Sequence, residues 1–387
     1  GQGMQGVSKA IARAAGEMTA PFSGRQGAAK AKLVRREGGS VESERAVERG
    51  LDWLGRHQRS DGSWSLDYRK ECSGKGCPPD KHVNSDTAAT GLALLPMLGA
   101  GQTHTEPGRY QKAVKGGLDW LLKVQKPNGD LRQGGGNMYS HAIASMALCE
   151  AYGITKDERL KEPAQRAINF IVKAQNPDDG GWRYQPGQPG DTSVFGWQMF
   201  ALRSGYLAGL EVPETTIQGC RKYLDKAAVN PEGSVYSYQP GKGPSPVMSA
   251  EALLGRQYLG WPRDYPPLVL GTERVAANLL EGRERNIYYW YYGTQLLHNM
   301  QGPAWKLWNL KIRDGLVATQ VTRKGCDYGS WDPEEPAPDH WGKTAGRFFV
   351  TSLSILTLEV YYRYLPLYRE RDLNPVGGRA TAKAPKE

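Results

Sequence analysis

Asp86 and Asp191 each open a stretch of helical periodicity, in Ser85-Asp86-Thr87 and Gly190-Asp191-Thr192, and a third such opening carries Ser140-His141. Carboxylates and an imidazole are the groups that general acid–base chemistry uses. Asp86, Asp191 and His141 are therefore the candidate catalytic residues. The same positions suit a structural role. A lone carboxylate at a helix start meets free N–H groups and the positive end of the helix dipole; both favour the anion and make it a poor acid. The matching alternative for His141 is a buried imidazole with its hydrogen bonds satisfied.

Aromatic residues form the second constellation. Tyr288, Tyr289, Trp290, Tyr291 and Tyr292 run together, and Tyr291, Gln295 and His298 then fall at i, i+4 and i+7, on one helix face. With Phe195, Trp197 and Gln198 they make the candidate ligand-binding set: Tyr288, Tyr291, Tyr292, Gln295, His298, Phe195, Trp197 and Gln198. A hollow lined by such rings suits a hydrophobic polyisoprenoid, and π faces stabilise cations. The competing reading is that these rings fill a core.

Two loops hold metal-ligand residue types. One is Cys72-x4-Cys77-x4-His82; the other is the late loop with Cys326, Asp327, Asp332 and His340. Neither has a recognisable zinc spacing with a second ligand pair, and a local disulfide or two free thiols is the reading for Cys72 and Cys77. The sequence thus assigns no metal and no cofactor. It also has no phosphate-binding Gly-rich loop, nucleophile elbow or Cys-x-x-Cys pair.

The elements that must position these residues alternate between two kinds. Charged amphipathic helices are expected at 44–58, 109–125, 159–175, 214–229, 268–280 and 305–320, from apolar residues at helical spacing. Between them lie segments with few charges, at 86–98, 140–152, 191–207, 249–259, 287–300 and 346–365, which must be buried nearly all round. Two concentric rings satisfy both kinds, and closure removes the need for capping repeats. The fold class is all-α, an α/α toroid of six inner and six outer helices over residues 44–368. A basic arm (1–43) precedes it and a tail (369–387) follows.

Gln58-x-x-Asp61-Gly62-Ser63-Trp64, Gln175 to Gly180-Gly181-Trp182 and Gly329-Ser330-Trp331 resemble the Gln/Trp repeats of squalene and terpene cyclases and of prenyltransferase/squalene-oxidase-repeat proteins. The stretches 190–202, 288–295 and 358–368 resemble a bacterial branch of that family whose activity is largely unassigned. The resemblance implies that each Gln caps the next outer helix and each Trp stacks against it. It also implies a protonating Asp-x-Asp-Asp-Thr-Ala motif at an inner-helix start. Here Val83 to Ala88 matches that stretch with Asp86 alone.

Composition narrows the partners. The 387 residues include 20 Tyr and 11 Trp but 6 Phe, rings with a polar edge that suit cavity walls. Much of the net charge of +10 sits at the ends: residues 1–40 carry seven Lys/Arg against two acids, and 369–387 five against three. A specific nucleic-acid partner is therefore not expected, while the arm offers a peripheral membrane or protein contact. No segment reads as a signal peptide or membrane span, so a soluble domain is expected, with a longer or membrane-associated precursor left open. The function expected is binding of a hydrophobic isoprenoid-type lipid in an aromatic cavity, without a complete acid motif. The alternatives are an active cyclase-like isomerase or prenyl-converting enzyme, a non-catalytic interaction scaffold, and a carbohydrate-active toroid, which would want paired carboxylates from among Asp86, Asp191 and Glu251.

Overall fold

The computed structural model describes residues 21–72, 83–133, 136–279 and 285–368. A short α1 (Gly27–Glu37) comes first. Amphipathic and apolar helices then alternate: α2 (Val41–Arg56), α3 (Asp86–Gly99), α4 (Gln111–Val124), α5 (Met138–Thr155), α6 (Glu158–Ala174), α7 (Thr192–Ala208), α8 (Glu214–Ala227), α9 (Pro246–Tyr258), α10 (Pro266–Ala277), α11 (Ile287–Met300), α12 (Gly302–Thr319) and α13 (Gly342–Leu358). A four-residue α14 (Val360–Arg363) follows. Among the described residues there is no sheet, and no helix is long and apolar enough to cross a membrane.

Burial follows the sequence pattern. On α6 one stripe is buried, Leu160, Ala164, Ala167, Ile168 and Ile171, whereas α7 is buried along nearly its whole length. The odd-numbered helices from α3 to α13 pack each on the next, and α13 packs back on α3. The even-numbered ones from α2 to α12 form the outer layer. The result is a closed ring, the α/α toroid expected.

Side chains of the repeats hold the outer layer together. Gln58 Nε2 donates to Gly62 O and, across to α4, Ala113 O. Gln125 repeats this with Gly129 O and Pro163 O, and Gln175 with Gly180 O and Thr216 O. Gln320 Nε2 reaches Gly329 O and Ala46 O, so the last repeat is tied to the first outer helix and the ring is locked shut. Each such bond contributes about 1 kcal/mol net. The tryptophans pack against the next outer helix: a Cβ at Gly117 of α4 would lie 2.8 Å from the Trp64 ring, and one at Gly50 of α2 would lie 3.2 Å from the Trp331 ring. Their indole N–H groups donate backward, to carbonyls near the end of the preceding outer helix: Trp64 to Leu54 O, Trp182 to Ile171 O, and Trp331 to Leu316 O. These carbonyls belong to the last turn of each helix, where intrahelical donors run out.

The turn glycines are required by this contact. Gly180 has φ +81° and a Cβ there would lie 2.1 Å from Gly219 O on α8. Gly187 has a similar φ, +74°, with nothing within 4 Å. Gly180→Ala is expected to lose at least about 2 kcal/mol, from left-handed strain plus overpacking. Gly187→Ala should lose only the strain, about 1–2 kcal/mol. Urea unfolding of the two variants separates the contributions, and equal losses would contradict the steric account.

Residues 21–43, which the sequence assigns to the arm, pack on the ring. Leu33 and Val34 of α1 are buried, and α1 lies against α14. The charge run Lys30 to Arg36 masked a short amphipathic helix with one apolar edge.

Candidate functional site

The inner helices begin at one end of the ring, and the starts of α3, α5, α7, α11 and α13 surround a cavity of about 380 Å³. Ser85 and Asn137 cap α3 and α5, their side-chain oxygens accepting backbone N–H bonds from Ala88 and Tyr139. Ser193, Tyr288 and Ala345 lie in the first turns of α7, α11 and α13. Leu66, Leu92, Ile143, Trp197, Trp341 and Phe349 supply apolar wall, and among the described lining residues none carries a charge. Gly346 (φ 76°, ψ −178°) interrupts α13, so its first turn, bearing Thr344 and Ala345, is set apart from the straight inner helix that follows.

A chain of hydroxyls leads from the wall into the ring. Tyr139 donates to Ser193 Oγ at 2.7 Å, and Ser193 lies 2.7 Å from Tyr288 Oη. Trp197 Nε1 donates to Tyr288 Oη at 2.9 Å, and Tyr292 donates to it at 3.2 Å. Behind them sits Glu251 of α9, 1% exposed. Burial pushes its carboxyl well above the usual range; the Tyr292 and Tyr288 hydroxyls oppose this, and the Asp191 charge adds to it. Its surroundings favour the protonated form. Gly196 makes room for it, since a Cβ there would come 1.8 Å from Glu251 Oε1. The sequence offered Glu251 merely as one of several inner-helix carboxylates; its socket depends on Gly196 of a neighbouring helix, which only the packing brings to it.

Of the residues nominated from sequence, Trp197 and Tyr288 line the cavity. Tyr292 stands behind Tyr288, and Tyr291 stacks on Trp197 at 6.0 Å while its hydroxyl accepts from Arg363. Gln295 donates to the Tyr291 carbonyl, at the deeper end. The others fall elsewhere for identifiable reasons. Asp86 is in the first turn of α3 and bound to Arg59 at 2.6 Å, outside the wall; Ser85, one residue earlier, is the cap. Asp191 does cap α7, accepting from the Val194 N–H at 2.8 Å, and burial raises its pKa to about 6. His141 accepts from the Leu131 N–H through Nδ1 and donates to Ala167 O through Nε2, so both nitrogens are occupied; burial lowers its pKa to about 4. Phe195 stacks outward on Tyr223 at 4.7 Å, Gln198 donates to Met138 O on α5, and His298 faces Glu37 of α1 at 3.4 Å. Tyr139, Ser193, Trp341 and Phe349 line the cavity without having been nominated. Of these, Ser193 and Tyr139 had a usable signal, being polar or amphipathic residues one turn inside inner-helix starts.

The far end of the ring is closed. Glu150, on the last half of α5, takes Arg25 at 2.7 Å and Arg363 at 3.0 Å, and Tyr364 donates to it as well. The Arg25 guanidinium also donates to Leu98 O and Arg363 O.

Comparison with known proteins agrees with this architecture. The chain is 26% identical over 215 residues to a squalene–hopene cyclase of Bradyrhizobium diazoefficiens, an overlap of 49% of this chain and 30% of that protein. It therefore spans less than a third of that relative's length. No family model matches. Among solved structures it superposes on a cellobiose 2-epimerase from Spirochaeta thermophila (TM-score 0.62, 13% identity, 87% and 99% of the two chains). It also superposes on an α-1,6-mannanase from Salegentibacter (0.59, 13%, 82% and 98%) and a type II terpene cyclase from Scytonema (0.54, 13%, 82% and 96%). These likenesses establish the α/α toroid and a distant similarity to terpene cyclases; the same fold serves carbohydrate enzymes.

Proposed function

We propose that this chain binds a hydrophobic, isoprenoid-type molecule in the cavity at the helix-start end of the ring. The observation that carries the reading is the uncharged wall of rings and aliphatic side chains, with no carboxylate among its described residues. A glycoside-cleaving site needs two carboxyl groups facing the substrate, and the described wall presents none. The volume falls in the range of small-molecule sites. The partial identity to a squalene–hopene cyclase points the same way.

The test is capture. Purified protein incubated with farnesol, geranylgeraniol or squalene and then desalted should retain lipid, detected by extraction and mass spectrometry. Ala345→Trp, which fills the cavity, should lower retention by about tenfold or more. Wild-type protein that retains none of these lipids, or a filled variant that retains as much, ends the proposal.

A second reading has one observation in its favour. The Glu251 carboxyl, pushed toward its protonated form by burial, lies behind the Tyr288 hydroxyl network that reaches the wall, and proton delivery to an alkene would use such an acid. If squalene or a prenyl diphosphate is turned over, Glu251→Gln should lower the rate by about a hundredfold or more while Asp86→Asn leaves it within a few-fold. The reverse ranking would return the acid role to Asp86.

A further inference from the structure

Residues from three distant parts of the chain meet at the seam where the ring closes. His57 is the C-terminal cap of α2, Cys72 lies in the insert that follows Trp64, and Cys326 lies in the loop between α12 and α13. Cys72 Sγ is 2.8 Å from Cys326 Sγ, and Cys326 Sγ is 3.3 Å from His57 Nε2. All three donor atoms lie within 4.8 Å of one another. From the geometry we propose that His57, Cys72 and Cys326 bind a zinc ion.

The imidazole is prepared for it. His57 Nδ1 lies 2.7 Å from the Trp53 carbonyl, which fixes the proton on Nδ1 and leaves the Nε2 lone pair facing the sulfurs. A backbone carbonyl behind a ligating histidine is the usual orienting partner. Trp53 and Tyr68 pack on the ring, with centroids at 4.3 and 5.0 Å. Both cysteines are half-buried, so an ion can reach them. Two thiolates and one imidazole form a soft donor set that selects zinc over magnesium or calcium. Two zinc–sulfur bonds of about 2.3 Å at a tetrahedral angle hold their sulfurs roughly 3.8 Å apart, so the side chains need move by about 1 Å. Three protein donors leave one of the four positions to water or another ligand. The sequence had placed Cys72 and Cys326 in separate suspect loops, and His57 in neither. Cys77 and His82 lie outside the described residues.

The consequence is a clip. Zinc would tie the insert bearing Leu66 to the loop leading into Trp341, two residues of the cavity wall. The metal can be measured without any lipid, so the two proposals stand or fall separately. Reduced, full-length protein is loaded with zinc sulfate, freed of unbound metal and assayed by elemental analysis, and in parallel titrated with cobalt. Close to one zinc per chain is expected, with a thiolate-to-cobalt charge-transfer band and tetrahedral visible bands. Cys72→Ser and Cys326→Ser should each weaken affinity by about a hundredfold or more, whereas Cys149→Ser and Cys220→Ser, whose thiols are buried elsewhere, should not. A wild-type chain that retains no zinc, a cobalt complex without thiolate bands, or undiminished binding in both seam variants overturns the proposal. The cobalt spectrum of the wild type decides the matter even if the variants fail to fold. Isolation of a Cys72–Cys326 disulfide peptide together with no zinc uptake after reduction also overturns it.

Discussion

Glu150→Ala is expected to lower the stability of the ring by about 3–5 kcal/mol, the cost of stripping the partner from buried charges. Arg25 and Arg363 are 1% and 2% exposed, and both guanidinium groups would be left facing apolar surroundings and each other. The carboxyl itself is desolvated, which by itself would raise its pKa. The charges of Arg363 and Arg25 and the Tyr364 hydroxyl outweigh that and hold it below the ordinary range. The sign follows: a depressed folded-state pKa contributes stability that is complete above the unfolded value and is lost as pH falls through the folded one. Glu150 therefore contributes to acid unfolding, and the variant should lack that part of the acid limb. Disrupting the exposed pair Lys115–Asp119 should cost less than about 1 kcal/mol. Denaturant titrations of the two variants make the comparison. A Glu150→Ala loss no greater than that of the surface pair would show that the cluster does not seal the ring.

That cluster also illustrates what the sequence could convey. The alternation of charged and uncharged helices, the terminal glutamines and the Gly-Trp turns are local, and they were sufficient for the ring and its number of pairs. Gln320 reaching Ala46 follows directly once the ring is assumed. The partners of Arg25 were not legible, because they lie on α3, α5 and α14, and no periodicity links positions 25, 98, 150 and 363. The candidate site was read in part for the same reason. A run such as Tyr288 to Tyr292 announces an aromatic helix, but which rings face the hollow depends on its rotation about its own axis, and Trp197 and Tyr288 won those places. Helix starts were correctly singled out as polar, yet the hydroxyls of Ser193 and Tyr139, rather than the carboxylate of Asp86, line the cavity. Asp86 had a neighbour, Arg59, whose proximity depends on the turn before Trp64 folding back over α3.

Asp191→Asn is expected to make the protein more stable at neutral pH by roughly 3 kcal/mol and to leave it nearly unchanged near pH 4. Asp191 is fully buried, and burial raises its pKa from 3.8 to about 6 against the pull of the Val194 N–H, Tyr238 and Arg183. In this case the sign is opposite to that of Glu150. The folded chain holds the proton more tightly than the unfolded chain, so stability falls as pH rises from about 4 through 6 and the penalty is complete above that window. Asparagine keeps the oxygen that caps α7 while removing the titration, so the helix start is preserved. Glu251, pushed up further by the Asp191 charge, should relax in the same direction and add to the gain at high pH. Unfolding free energies measured from pH 4 to 8 test this. A constant difference across that range, or a variant less stable at pH 8, would mean that Asp191 is ionised without penalty and serves only as a cap. A widening gap would identify a carboxylate kept at a cost to the fold, one turn from the hydroxyl network that leads to the cavity, where a ligand's polar group is the natural counterpart to a retained charge.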